Sequence, residues 1–143
     1  MIFVLYFFMY ITTYDVWNYF THICLHKVSL YKYHKYHHLI MYSNISYVDA
    51  FAGHVIELPL HAVGVFIPHM FIEYHIRALL CAYIFVTIRT YLQHDHRCTW
   101  LVGNHHLLHH KHPKYNFGEK WMDYMLGTLY VPGTDGVYSE YRD

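Results

Sequence analysis

Tyr33-His34-Lys35-Tyr36-His37-His38 contains three histidines at positions i, i+3 and i+4. On an α-helix these offsets place side chains on one face, about 5–6 Å apart at Cβ. Three neutral imidazoles in that arrangement are able to converge on one metal ion or on two adjacent ions. The stretch therefore predicts a helical element that carries metal ligands.

The same spacing returns near the other end of the chain. His106-Leu107-Leu108-His109-His110 repeats the pattern, and the upstream residues His22 and His26 are spaced i, i+4, which is again one helical face. In chain order we call these stretches the first, second and third histidine boxes. One box alone is weak support for a metal site. Three boxes at helical spacing strongly indicate one.

The composition restricts the class of protein. A chain of 143 residues is expected to form a single domain, here 1–143. It is 55% hydrophobic, 20% aromatic and only 14% charged, which favours a membrane protein over a soluble domain. Lys and Arg together number ten, as do Asp and Glu, so no basic field exists to attract nucleic acid.

The three cysteines lie far apart, which argues against a disulfide framework. Cys24 is a candidate ligand, but a small buried side chain is the favoured interpretation.

Three apolar segments indicate an all-α fold of integral membrane helices. We predict a helix over 2–26 that carries the first box beyond the membrane edge, an apolar segment over 48–72 that contains two prolines, and a second half over 76–92. The last two segments form a hairpin that spans the bilayer or dips into it. Lysines between 27 and 35 favour a cytosolic site.

The hairpin also carries polar residues. His54, Glu57 and His61 follow an i, i+3, i+7 pattern and are expected to share a face. In one interpretation Glu57 orients a ligand imidazole from behind, and in the other the group is an ordinary interhelical hydrogen-bonded pair. His61, His69 and His75 are each expected to be structural or interfacial.

The last third of the chain, 94–143, is polar, rich in histidine and glycine, and predicted to form an extramembrane cap. His94-Asp95-His96 offers one or two further ligands, with Asp95 as a partner behind them. Pro113 is expected to end the helix of the third box. A short amphipathic helix from Trp121 should stop at Gly127.

Taken in order, these motifs resemble one known family. The chain is similar to the fatty acid hydroxylase/sterol desaturase superfamily of integral-membrane di-iron oxygenases, over essentially Asp15 to Thr128. Beside the boxes, the resemblance is carried by Asp15, His54-x2-Glu57, Asp95-His96, Asn116-Phe117-Gly118 and Trp121-x-Asp123-x3-Gly127-Thr128. Thr87-Ile88-Arg89 followed by Asp95-His96 looks most like the C-4 methylsterol oxidase and cholesterol 25-hydroxylase branch.

The resemblance implies a cytosolic centre of two iron ions, O2 as co-substrate and a lipid substrate. Electrons are expected from NAD(P)H through a separate partner such as cytochrome b5. The expected location is an endoplasmic-reticulum-type membrane if the source or the host is eukaryotic. The residues carried over as metal ligands are His22, His26, His34, His37, His38, His96, His106, His109 and His110. Residues expected behind them are His54, Glu57 and Asp95.

Several alternatives stay open at this point. Imidazole also binds zinc, copper and nickel, so the choice of iron rests on the resemblance. Relatives usually carry further membrane helices before the first box, which begins here at residue 22. A truncated form that acts as a homo-oligomer, a degenerate relative without turnover and a non-catalytic metal-binding or metal-transport protein are the competing interpretations. The sequence does not select sterol, fatty acid or sphingolipid as substrate, nor hydroxylation over desaturation.

Overall fold

The computed structural model describes residues 1–133, and this part of the chain is all-α, as the sequence predicts. No strand occurs within it. The α-helices are α1 (Ile2–Leu25), α2 (Tyr31–His34), α3 (Glu57–Phe66), α4 (Ile76–Gln93), α5 (Thr99–Val102), α6 (His105–Lys111) and α7 (Lys120–Leu126). Single 3-10 turns lie at His37–Leu39, Tyr42–Asn44, Tyr47–Asp49, Ile67–Met70 and His96–Cys98. The end of the predicted polar cap, 134–143, lies outside the described residues.

The core forms where α1 crosses α3 and α4. Its buried side chains are Tyr10, Ile11, Val65, Ala78, Leu79, Ala82 and Val86. Gly64 allows α3 to approach closely, because a Cβ there would lie 2.9 Å from Cβ of Trp17 and 3.0 Å from the backbone of Tyr14. The indole of Trp17 donates to the carbonyl of Leu60 at 2.7 Å. These contacts fix the C-terminal half of α1, which carries the first box.

A buried ion pair holds α1 against α4. The guanidinium of Arg89 donates to both carboxylate oxygens of Asp15, and its Nε lies 3.2 Å from Oε1 of Glu119. Gln93 donates to the same Glu119 oxygen at 2.9 Å. Removing one partner from such a buried network is costly because it leaves a charge without compensation. The network therefore ties the loop before α7 to the long helices.

Within residues 1–133, no helix has both the length and the apolar composition that crossing a bilayer requires. The segment 48–72, predicted to span or dip, contains one α-helix, the ten-residue α3, which is about 15 Å long at 1.5 Å per residue. Pro59 lies in its first turn, where a missing N–H is tolerated. Pro68 cannot donate to a preceding turn, and the chain there tightens into the 3-10 turn.

The predicted ends of α6 and α7 agree with the structure, and the predicted shape of the second box does not. α6 ends at Lys111, just before Pro113, and α7 ends at Gly127, which adopts φ 73°; both ends confirm the prediction. The second box, by contrast, is not one continuous helix. His34 closes α2 and His37 begins a 3-10 turn, so its three imidazoles do not share a single helical face.

Candidate metal centre

Nine imidazoles meet where the three boxes come together. They form two groups, in each of which the nitrogens available for metal binding lie within 4.8 Å of one another. The five-histidine group consists of His22, His26, His34, His38 and His109. The four-histidine group consists of His37, His94, His106 and His110. Four parts of the chain contribute these imidazoles: the end of α1, the segment from α2 to the next turn, the end of α4 and helix α6.

The two groups adjoin each other. The ring centroids of His34 and His37 lie 5.1 Å apart, and those of His38 and His110 lie 4.8 Å apart. Each of the two H-x-x-H-H boxes is shared between the groups: the first and last histidines join one group, and the middle one joins the other. The arrangement suits a centre of two neighbouring ions.

Backbone carbonyls determine which ring nitrogen carries the proton in four of these histidines. A carbonyl oxygen only accepts hydrogen bonds, so the nitrogen facing it must be the N–H, and the other nitrogen keeps its lone pair. In each case the N–H is Nδ1, and the pairs are His22 with Phe117 (2.6 Å), His109 with Tyr115 (2.6 Å), His37 with Ala52 (3.0 Å) and His94 with Thr90 (2.8 Å). Their Nε2 atoms are therefore free to bind a cation.

These Nε2 atoms point at one another. The Nε2 atoms of His37 and His94 are 3.2 Å apart, and those of His22 and His34 are 3.0 Å apart. His34 also donates through Nδ1, to Glu57. With no proton between them, two lone pairs at this distance repel, and a metal cation between them turns the repulsion into bonding. His110 is consistent with this, because both its ring nitrogens are buried without a hydrogen-bond partner. The donor set fits two metal ions.

Burial keeps eight of the nine imidazoles neutral. Burial lowers the pKa of His26 to about 3 and that of His38 to about 2, and the neighbouring imidazoles make a smaller contribution in the same direction. Burial also lowers the pKa of His94 to about 4. The same cause holds the pKa values of His22, His37, His106, His109 and His110 well below the ordinary value. Protons thus compete weakly with a metal at neutral pH.

Glu57 lies behind the five-histidine group. Its Oε2 accepts from Nδ1 of His34 at 2.5 Å, and its Oε1 accepts from the backbone N–H of His54 at 2.9 Å. Gly53 makes room for the carboxylate, since a Cβ there would lie 2.5 Å from Oε1. The ring of His54 instead packs on Tyr33. Because α3 begins at Glu57, His54 does not share its helical face.

The structure does not bring His96 into either group. Its Nε2 donates to the carbonyl of Tyr42 at 2.7 Å, and His94, at the end of α4, lies in the four-histidine group instead. Successive residues leave a helix end in different directions, so the sequence pattern His94-x-His96 did not show which one faces the centre. Asp95 pairs with Arg97 and contacts no imidazole of the groups.

The expectation that Cys24 is buried is wrong, because its side chain is exposed. His22 and His26 face inward from α1, and a residue midway between them lies on the opposite side of the helix. Cys24 belongs to neither group of imidazoles.

A cavity of about 320 Å³ borders both groups. Five of the nine imidazoles line it: His22, His34, His37, His94 and His106. Apolar side chains, among them Phe51, Val55, Leu58 and Phe117, form part of its wall. Asn18, Thr90, Gln93 and Glu119 supply polar groups. A small organic molecule in this cavity would lie directly against the imidazole centre.

Comparison with known proteins identifies the family to which this chain belongs. The family described as fatty acid hydroxylase matches residues 7–128, which include all nine imidazoles. The chain belongs to the fatty acid hydroxylase family. The predicted superfamily of fatty acid hydroxylases and sterol desaturases is thereby confirmed. The family match does not distinguish the branches, so the placement near C-4 methylsterol oxidases and cholesterol 25-hydroxylases stays a prediction.

Among its relatives is a protein of Arabidopsis thaliana that carries the name of a Delta(7)-sterol-C5(6)-desaturase. It is 32% identical over 140 residues, which cover 90% of this chain and 49% of the relative. This fatty acid hydroxylase family member thus spans about half the length of the curated relative that it matches. No solved structure matches the chain.

Proposed function

We propose that this chain oxidises a membrane lipid with O2 at a di-iron centre held by the nine imidazoles. Two pairs of Nε2 atoms face each other, those of His22 with His34 and those of His37 with His94, and all four rings carry their proton on Nδ1. This observation supports the proposal best. Membership in the fatty acid hydroxylase family supports lipid oxidation in general. The sterol desaturase relative favours a sterol or a similarly bulky lipid as the substrate.

Iron bound at these imidazoles would supply reduction of O2 and removal of hydrogen from an unactivated C–H bond. In hydroxylation, the substrate, O2, two electrons and two protons give the alcohol and one water. In desaturation the same inputs give the alkene and two waters. The chain's own residues orient the substrate in the cavity, keep the imidazoles neutral and exclude bulk water.

The electrons are proposed to come from a separate protein. Residues 1–143 contain no Gly-rich phosphate loop or Rossmann fingerprint for a nicotinamide or flavin. A cytochrome b5-type donor, itself reduced from NAD(P)H, fits the one-electron chemistry that the centre requires. Association into a homo-oligomer is a further proposal.

We also propose that the chain works at a membrane, on the cytosolic face of an endoplasmic-reticulum-type bilayer. Large apolar side chains are exposed on α1 and α4. They include Ile2, Leu5, Phe8, Leu80, Ile84 and Ile88. Exposed apolar surface on this scale is typical of proteins that contact lipid or another protein. A lipid would then reach the cavity without passing through water.

Metal content provides the first test. The protein is expressed with iron, purified in detergent and compared with His109→Ala and with His75→Ala, whose imidazole lies outside both groups. About two irons per chain in the parent and in His75→Ala, with fewer in His109→Ala, are expected. Folded parent protein without stoichiometric metal would contradict the proposal and indicate a degenerate relative. Zinc or copper in other ratios would indicate a metal-binding or metal-transport protein.

Product analysis provides the second test. The iron-loaded protein is incubated with lipid extract, a reduced electron donor and 18O2. A lipid that gains 18O indicates hydroxylation, and a lipid that loses two hydrogens without gaining oxygen indicates desaturation. Iron-loaded protein that changes no lipid in any extract would contradict the catalytic part of the proposal.

A further inference from the structure

Asp123 is a fully buried carboxylate that touches none of the nine imidazoles. Its exposed fraction is 0%. Oδ1 accepts from the backbone N–H of Phe117 at 2.9 Å and from the hydroxyl of Thr128 at 2.6 Å. Oδ2 accepts from the backbone N–H of Gly118 at 3.0 Å and from Nε2 of His105 at 2.9 Å. Each oxygen thus receives two donors.

Two of these donors belong to a segment that supports the metal centre. The carbonyls of Tyr115 and Phe117 accept the Nδ1 protons of His109 and His22, both at 2.6 Å. Both histidines belong to the five-histidine group. Asn116, between the two carbonyls, has φ 59°, a conformation that is uncommon outside glycine. Contacts elsewhere must hold it there.

The anchors of this segment converge on the same region. Asn116 donates to the carbonyl of His105 at 3.0 Å, and its own N–H donates to the carbonyl of Thr128 at 2.8 Å. His105 and Thr128 thus donate to Asp123 through their side chains and accept from Asn116 through their carbonyl groups. Loss of the carboxylate would leave the N–H groups of Phe117 and Gly118 without their acceptor and would release the side chains of His105 and Thr128.

The four-histidine group is supported differently. Its two fixed Nδ1 protons go to Ala52 and Thr90, which lie on other parts of the chain. A change at Asp123 should therefore act on the two groups unequally.

We propose that Asp123 is a positioning residue for the five-histidine site, which it serves by fixing the two carbonyls that hold His22 and His109. The inference rests on the proposed function only in requiring that both groups bind metal. Groups that hydrogen-bond directly to a ligand imidazole typically contribute about 10–100-fold to metal affinity, and Asp123 fixes two such groups, the carbonyls of Tyr115 and Phe117. Asp123→Asn keeps the size but replaces one acceptor oxygen by an NH2 donor, which would face two buried donors.

The test is an anaerobic Co2+ titration of the metal-free full chain in detergent, followed by visible absorption and calorimetry. The parent should bind two ions. Asp123→Asn should bind one with parent affinity and the other about 10–100-fold more weakly. Asp95→Asn is the matched control, since Asp95 is also buried but pairs with Arg97 instead of supporting an imidazole of either group, and it should behave like the parent.

Thr128→Val keeps the test decisive if Asp123→Asn does not fold. It removes one donor from the carboxylate and should weaken one site several-fold, whereas Thr128→Ser should restore it. Two parent-like affinities in Asp123→Asn, or in a folded Thr128→Val, would overturn the inference. Equal weakening of both sites would overturn it as well. A parent that binds no metal would instead overturn the proposed function.

Discussion

Glu57→Gln tests whether the carboxylate behind His34 sets the affinity for metal. Glu57 is 8% exposed, and its two oxygens accept from His34 at 2.5 Å and from the N–H of His54 at 2.9 Å. A glutamine offers one oxygen and one NH2, so one of the two donors must face another donor. If the NH2 faces His34, the imidazole proton moves to Nε2 and removes a ligand lone pair.

The expected magnitude follows from these two hydrogen bonds. A hydrogen bond to a charged group contributes about 1.5–3 kcal/mol. Since about 1.4 kcal/mol corresponds to a tenfold change in an equilibrium constant, loss of one such bond should weaken metal binding about 10–100-fold. Gly53→Ala should act in the same direction without any change of charge, because its Cβ would lie 2.5 Å from Oε1 of Glu57.

The assay is competition between the protein and a chelator of known affinity, with Zn2+ as the probe. Glu57→Gln and Gly53→Ala are compared with the parent and with Asp95→Asn, whose carboxylate contacts no imidazole of the two groups. Parent-like affinity, within twofold, in both Glu57→Gln and Gly53→Ala would refute the reasoning. Equal weakening in Asp95→Asn would show that any lost buried carboxylate has the same effect.

Three further predictions concern stability. His75→Ala should lower the free energy of unfolding by about 1 kcal/mol, because His75 caps α4 by accepting from the N–H of Ala78; unchanged thermal unfolding would contradict this role. Gly64→Ala should lower the melting temperature, since overpacking costs about 1–3 kcal/mol and the new Cβ would meet Trp17 at 2.9 Å; a more stable variant would show that α3 can move away. Metal-free protein should lose stability as the pH falls below about 6.5, because burial lowers the pKa of His26 to about 3 and this imidazole takes up a proton in that range only in the unfolded chain. Urea unfolding at pH 7.5 and 5.5 measures this, and equal stability at both would contradict it.

Local patterns in the sequence predicted much of the fold. The apolar run after Met1 indicated α1, Pro113 marked the end of α6, and Gly127 marked the end of α7. Each of these signals acts within a few residues, so no distant contact is required to interpret it. The structure of segment 48–72 is less predictable, because its apolar character indicates burial or lipid contact without specifying a helix. Its prolines shortened the helix to Glu57–Phe66.

The site was predictable to the extent that helical spacing determines it. The first box lies at the C-terminal end of α1, with His26 as the residue that follows the helix, and the third box lies on α6. Offsets of three and four residues bring the imidazoles together there. His94 and His96 differ by two residues next to a helix end, and only the path of the chain after Gln93 decides which ring faces the centre. Asp123 stands in one of the motifs that carry the family resemblance, but its role depends on hydrogen bonds to backbone groups, which any residue type provides and which the motif therefore does not show.

The sharing of each H-x-x-H-H box between the two groups has a consequence for how the centre keeps its dimensions. In the second box His34 and His38 belong to one group and His37 to the other, and in the third box the assignment is reversed. The separation of the groups is thus set twice by the covalent spacing of neighbouring residues rather than by the distance between helices. Small relative movements of α1 and α4 would change the shape of the cavity while leaving the spacing of the two binding positions nearly constant.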